Sequence, residues 1–304
     1  MQDKILARPL LVTTIKGCTA VRGMALLNGW LYVVRFGSTH VEVYEARDEF
    51  KRSKKTITVA SPGQREKFGL LHRLKSRPKK EHVSSGIQDI VSCNRNKRLY
   101  LSDWQNMCVH CIDPVRKEVT RNWSVESGAP WGISVTSQGN VIVSCGDSGQ
   151  LCEYSAEGLF LRTVELKMAD EGPWHGLQLS GVDSWVVCHG GRYVDDGFVC
   201  VVDSEGNYVS GYQEINLKGP SHLAVLSSNH VLVAESTRNR IVLLHPSLRG
   251  PVREILCPDD GIVMPVRIHL CESSGTLVVG LVDGTVLVYQ IMNAGNEQST
   301  AVSR

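Results

Sequence analysis

The stretch Gly219–Pro246, GPSHLAVLSSNHVLVAESTRNRIVLLHP, decides the fold. It reads as two short apolar strands, LAVL and VLVAE, a polar loop over Ser236 to Arg240, and a third strand, IVLLH. Brief β-branched runs broken by Ser, Asn and Gly are the signature of strand, turn and strand. No catalytic motif lies in it. Its weight comes from recurrence, because a fixed period of strand units specifies a repeat architecture.

The same grammar runs outward in both directions. Arg22–Ala46 gives strand, Asn-Gly turn, strand, loop and strand, with a fourth strand expected at Thr56–Val59. Comparable units occupy Ile87–Val125, Pro130–Leu166, Pro173–Tyr212 and Pro265–Ile291. The first-strand apolar residues Met24, Ile90, Ile133, Leu177, Leu223 and Ile268 are spaced 66, 43, 44, 46 and 45 residues apart. A period in the mid-forties with four strands per unit specifies propeller blades. The expectation is an all-β, six-bladed β-propeller of four-stranded antiparallel blades. It spans residues 1–292 as one domain, with a basic insertion at about 60–85 and a flexible tail at 293–304. The last unit supplies only three strands, and Leu10–Thr14 forms a spare one. This N-terminal strand is predicted to close blade six as its outermost strand, leaving no open terminal blade.

Composition agrees with a soluble globular protein: 42% hydrophobic, 21% charged, 28 Gly and 11 Pro in 304 residues. No run reaches the roughly 18 apolar residues of a membrane span. The N-terminus lacks the long apolar core of a secretory signal. A cytoplasmic, monomeric protein is expected. Ten cysteines are scattered among apolar strands and read as reduced core residues. Cys108 and Cys111 form the one CxxC. In a strand, residues three apart point to opposite faces, so the pair reads as structural and not as a metal or redox centre. No cofactor and no metal are expected.

On these residues the chain resembles the NHL-repeat family. PSHLAV, HVLVAESTRNRIVLLHPSL, FVCVVDSEGNYVSGY and PWGISVT carry the likeness, with Glu235 where the family commonly has Asp and Asn239-Arg240-Ile241 matching its Asn-Arg-Ile/Val segment. The resemblance covers residues 10–291, more closely in blades two to five. It implies a six-bladed propeller similar to the substrate- or RNA-binding ends of TRIM-NHL proteins. The chain departs from these in having no RING, B-box or coiled coil, so ligase activity is not implied.

In a four-stranded meander, the start of the innermost strand and the loop joining strands two and three share one face. The residues expected there are Arg22, Asp89, Trp131, His175, His222 and Arg267 from the strand starts. The loops add Arg35, Asp103 to Asn106, Asp147, Arg192 to Asp196, Arg238, Asn239 and Asp283. Arg and Trp dominate binding hot spots. Candidate partner-binding residues are therefore Arg22, Arg35, Trp131, His175, Arg192, His222, Arg238, Asn239 and Arg267. The competing reading makes Trp131 an inter-blade packing residue and the histidines hydrogen-bonded spacers. Arg240 is assigned to its own blade, paired with Glu235.

The long first interval holds eleven Lys or Arg between Lys51 and Lys80 against the single acid Glu66, a local +10 in a chain of net +2. Its basic core carries Lys67, Arg73, Lys75, Arg77, Lys79 and Lys80, with Phe68, Leu71 and Leu74 at helical spacing. It reads first as a solvated loop, and otherwise as a phosphate-contacting segment or a dock for an acidic partner or surface. Nothing in the chain reads DNA sequence.

Two function classes follow. The first is a non-enzymatic interaction module that presents the strand-start face to a protein, or to single-stranded RNA through the insertion and the face arginines. The second is a calcium-dependent lactonase- or esterase-like propeller. Calcium chemistry needs several converging oxygen ligands. Of the six strand-start positions only Asp89 is acidic, and no GxSxG elbow occurs. The interaction module is therefore favoured, with no catalytic residues.

Overall fold

A computed structural model describes residues 9–47, 49–53, 56–59, 86–167, 172–190, 197–211, 217–248 and 250–291. The chain forms six antiparallel sheets in a ring, a six-bladed β-propeller. The inner strands are β2 (Val21–Leu27), β7 (Ile87–Cys93), β11 (Pro130–Val135), β15 (Pro173–Gln178), β19 (Pro220–Val225) and β23 (Pro265–Cys271), each packed against its two neighbours around the axis.

The second and third strands of the blades read as continuous apolar runs because each is covered on both faces by adjoining blades. Trp30–Arg35, Val141–Cys145, Ser184–His189 and Val231–Glu235 are buried over nearly their whole length. The core is accordingly six seams. One joins blades one and two through Tyr32, Val43, Ile90 and Leu101, and one joins three and four through Ile142, Leu151, Trp185 and Val202. The others repeat this around the ring. Outermost strands such as Glu118–Ser124 are mostly exposed, as expected for positions with no further sheet to cover them.

The N-terminal strand β1 (Leu10–Ile15) pairs antiparallel with β25 (Val286–Gln290), giving the order β1, β25, β24 (Thr276–Leu281), β23 in blade six. The predicted closure is present. In blade one the expected single fourth strand is instead split. β5 (Lys51–Arg52) pairs with Tyr44 and Glu45, whereas β6 (Ile57–Thr58) pairs with His40 and Val41, all on β4 (His40–Glu45). The tight turn that brings β5 back places Glu49 and Phe50 in the left-handed region, at φ 49° and 59°.

All ten cysteines carry free thiols and seven are buried. Cys108 and Cys111 stand on opposite faces of β9 (Cys108–Asp113). The first lies beside His110 and the second beside Thr120. No helix among the described residues is long and apolar enough to cross a membrane. The insertion at 60–85, including Lys67, Arg73, Lys75, Arg77, Lys79 and Lys80, and the tail at 293–304 lie outside the described residues.

Candidate functional site

Every inner strand breaks register with its neighbour at the same place. The slip falls between residues one and three in five blades, as at Ile87/Asp89 and Pro265/Arg267, and between Pro130 and Ile133 in blade three. A bulge adds one residue and re-aims the side chains around it. The third residue of each inner strand belongs to one ring: Gly23, Asp89, Gly132, His175, His222 and Arg267. Two of these positions must lack a side chain. A Cβ on Gly23 would lie 2.5 Å from the Ile90 nitrogen, and one on Gly132 2.6 Å from the Trp174 carbonyl oxygen. The large members of the ring fill the space those glycines leave.

Inside the ring, Asp89 is the hub. Its Oδ1 lies 3.5 Å from Arg267 Nε and accepts the Ile90 N–H at 2.9 Å. Its Oδ2 lies 3.4 Å from His222 Nε2 and 4.0 Å from His175 Nε2, and accepts the Ile133 N–H at 3.3 Å. Arg267 crosses the channel from blade six to blade two, donating to the carbonyls of Val266 at 2.7 Å and Gln88 at 3.0 Å. The imidazoles of His175 and His222 stack at 4.0 Å with planes 19° apart. His175 Nδ1 accepts the Leu223 N–H at 3.4 Å, which leaves its proton on Nε2, toward the carboxylate.

Burial alone would push the Asp89 carboxyl up. Arg267, then His222 and His175, overcome that and hold it down at about 2. Burial pushes His175 well below the usual imidazole range, helped by neighbouring His222 and Arg267. It also lowers His222, against the pull of Asp89, and brings neighbouring His269 down to about 4. The ring is thus one carboxylate, one guanidinium and neutral imidazoles. Asp89, His175 and His222 place one donor atom each within 4.8 Å of the others. Their nearly parallel rings, however, run the nitrogen lone pairs side by side, and Arg267 holds the second carboxylate oxygen. The arrangement fits a desolvated ion pair better than a metal seat.

Since these histidines fold neutral, protonation favours the unfolded chain. Their contribution is full above the unfolded value of about 6.5 and is lost as pH falls from there towards 4. The melting temperature is expected to fall by roughly 5–10 °C between pH 7 and pH 4.5, and His269→Gln should shrink that slope. A flat profile across this window in differential scanning calorimetry would contradict the assignment.

The ring corrects the expected surface. Arg22 and Trp131 are second residues of their strands, whereas Asp89, His175, His222 and Arg267 are third residues. Period-two geometry sends neighbouring positions opposite ways. Arg267, His175 and His222 are consequently buried in the channel and not displayed on the face. Arg35 is buried too, donating to Glu42 at 2.6 Å and to the Gly284 carbonyl at 2.6 Å. Arg238 lies 3.5 Å from Glu235, and the Asn239 side chain accepts the Met264 N–H at 2.7 Å, linking blades five and six. The expected Glu235–Arg240 pair forms at 2.6 Å. Arg22 stacks its guanidinium 4.6 Å over exposed Phe36. Arg192 lies outside the described residues.

What does occupy the strand-start face is a row of tryptophans. Trp131 stacks with Trp104 at 6.3 Å and 12°, and lies 4.6 Å from Trp174. Trp104 follows Asp103 at the end of β8 (Arg98–Asp103), and it is 45% exposed. Trp131 and Trp174 are the second residues of adjacent inner strands, which explains their contact. Next to the row, Trp131, Trp174, Pro173, Gly146 and Asp147 line a cavity of about 290 Å³. On the opposite face the channel opens as a funnel of about 410 Å³, from His175 and His222 out to Asn94, Glu272 and Ser273. The repeated Pro-Trp at 130–131 and 173–174 was a visible signal for the row, although Trp174 was missed.

No family model matches the sequence, and no curated protein matches it. Among solved structures the chain is similar to the WD40 β-propeller domain of Doa1, with a TM-score of 0.59 and 12% identity over 94% of this chain and 97% of that one. It is also similar to hydrazine synthase of Kuenenia stuttgartiensis, with a TM-score of 0.62 and 13% identity over 88% and 75%. The likeness is one of fold.

Proposed function

We propose that the protein is a non-enzymatic interaction module that binds a polypeptide on its strand-start face, with Trp104, Trp131 and Trp174 as the anchor. The tryptophan row carries this reading: large rigid aromatics beside a small cavity are what hot spots are made of. Exposed Asp147 at the cavity edge favours a partner that places a basic group beside its apolar anchor. Propellers commonly serve as such scaffolds, and the blade grammar supports placing the repeat with the NHL type.

Three of the arginines expected to hold RNA phosphates are paired with acids: Arg35 with Glu42, Arg238 with Glu235 and Arg267 with Asp89. This favours protein over RNA. The channel ring offers one carboxylate among nitrogen donors, a poor set for oxygen-seeking Ca²⁺ and hence for the hydrolase reading.

The test compares co-purified partners of the wild type, Trp104→Ala, Asp147→Lys and the opposite-face control Val182→Ser, with and without ribonuclease. The recovered partner polypeptide, titrated back, should bind the Trp104→Ala variant roughly 30-fold more weakly, a loss of about 2 kcal/mol. It should bind Val182→Ser normally. Retention by both face variants, or release by ribonuclease alone, would overturn the proposal.

A further inference from the structure

Below the tip of the tryptophan row lies a second buried cluster outside the channel. β8 ends at Asp103, which pairs in register with Cys108 at the start of β9, and His110 follows two residues later on the same face. His110 Nε2 lies 3.1 Å from Asp103 Oδ2 and 3.5 Å from Cys108 Sγ, and the three donor atoms all fall within 4.8 Å of one another. All three residues are buried.

We propose that Asp103 Oδ2, Cys108 Sγ and His110 Nε2 form a structural binding site for one divalent d-block cation of the zinc class. Oxygen, sulfur and nitrogen donors together suit a borderline-soft ion and exclude Ca²⁺ and Mg²⁺ as residents. Tetrahedral zinc, with bonds of about 2.0–2.3 Å, sets its ligand atoms roughly 3.3–3.6 Å apart, close to the N–O and S–N separations here.

Charge supports the same assignment. The other buried carboxylates have a cationic partner: Asp89 has Arg267, Glu235 has Arg240, Glu153 has Arg162 and Asp113 has Arg98. Among the described residues no Lys or Arg pairs with Asp103. Among these residues it receives His110 and the Asn106 backbone and side-chain amides, at 3.1 and 2.7 Å. A dication with one carboxylate and one thiolate is neutral overall, and binding displaces the Cys108 thiol proton to solvent. Asn106 or water is left for the fourth position. The site would fix the turn from Trp104 to Met107, and with it the exposed end of the tryptophan row.

The sequence reading took Cys108 and Cys111 as structural residues on opposite faces of one strand, and the two thiols do have different neighbours. The relevant spacing is Asp103, Cys108 and His110, two turn-flanking residues and one two further along the strand.

Purified full-length chain, stripped with chelator, would be titrated with Co²⁺ and with Zn²⁺. One equivalent is expected. The cobalt form should show a thiolate charge-transfer band and the intense ligand-field bands of a tetrahedral site. Cys108→Ser should abolish the charge-transfer band and weaken zinc about 100-fold or more, whereas Cys111→Ser should leave both unchanged. In the wild type, Zn²⁺ should also protect Cys108 from maleimide, read by peptide mass, which keeps the test valid if the serine variant unfolds. Substoichiometric metal, a band lost in Cys111→Ser but kept in Cys108→Ser, or unprotected Cys108 would each overturn the site.

Discussion

Asp89→Asn is expected to lower the melting temperature by roughly 10 °C, because it breaks a buried ion pair at a cost of about 3–5 kcal/mol. The Arg267 guanidinium would remain in the channel with its carbonyl partners Val266 and Gln88 but without the Asp89 charge. His222 would lose the carboxylate that partly offsets its burial. The companion variant Asp89→Asn/Arg267→Met removes both charges and should recover much of the loss, since replacing a whole buried pair by apolar groups is often near neutral. An exposed pair such as Arg116–Glu118, at 3.8 Å, provides the control: Glu118→Gln should change the midpoint by no more than about a degree. Thermal melts by circular dichroism at pH 7 decide the matter. If the double variant melts as low as the single one, the ring contributes packing shape and not charge compensation.

That ring shows where sequence reasoning reached its limit. Spacing between apolar anchors is insensitive to one residue, so it located all six blades and the closing strand. Facing is sensitive to one residue. Arg22 and Trp131 stand at the second position of their inner strands and Asp89, His175, His222 and Arg267 at the third, so the six, grouped as one surface, form two sets. Aligning on the prolines, in Pro130-Trp-Gly, Pro173-Trp-His, Pro220-Ser-His and Pro265-Val-Arg, would have separated the sets.

A second pattern was legible and unused. The last residue of strand two meets the residue seven further on in three blades: Arg35 with Glu42, Asp103 with His110, and Cys145 with Cys152. Blade four repeats it as His189 with Cys200, eleven apart because its loop is longer. The same geometric slot holds a salt bridge, a carboxylate–imidazole pair, a dithiol and an imidazole–thiol pair. Blade geometry fixes the position, while each blade's own neighbours decide which chemistry fills it. This is why the repeat predicts the fold and not the ligand.

Deleting residues 1–16 is expected to lower the wild-type midpoint by roughly 10 °C and to cause aggregation that rises with protein concentration. β1 contributes little apolar burial: Leu10 is 63% exposed, and Ile15 alone in the strand packs against the seam between blades six and one. Its contribution is the backbone ladder to β25, with cross-strand partners from Leu10/Gln290 to Ile15/Val286. Several such bonds at about 1 kcal/mol each give a loss of about 3–5 kcal/mol. Removing the strand also turns Val286–Gln290, VLVYQ, into an unprotected apolar edge, a template for pairing with another chain. The two consequences separate experimentally. Denaturant titration at low protein concentration reads the lost stability, and light scattering against concentration reads the exposed edge. A synthetic peptide of residues 9–17 should restore both by adding back the missing strand, whereas a scrambled peptide should restore neither. An unchanged midpoint after deletion would mean that the ring is held by its six inter-blade seams alone, and that β1 shields an edge without fastening the circle.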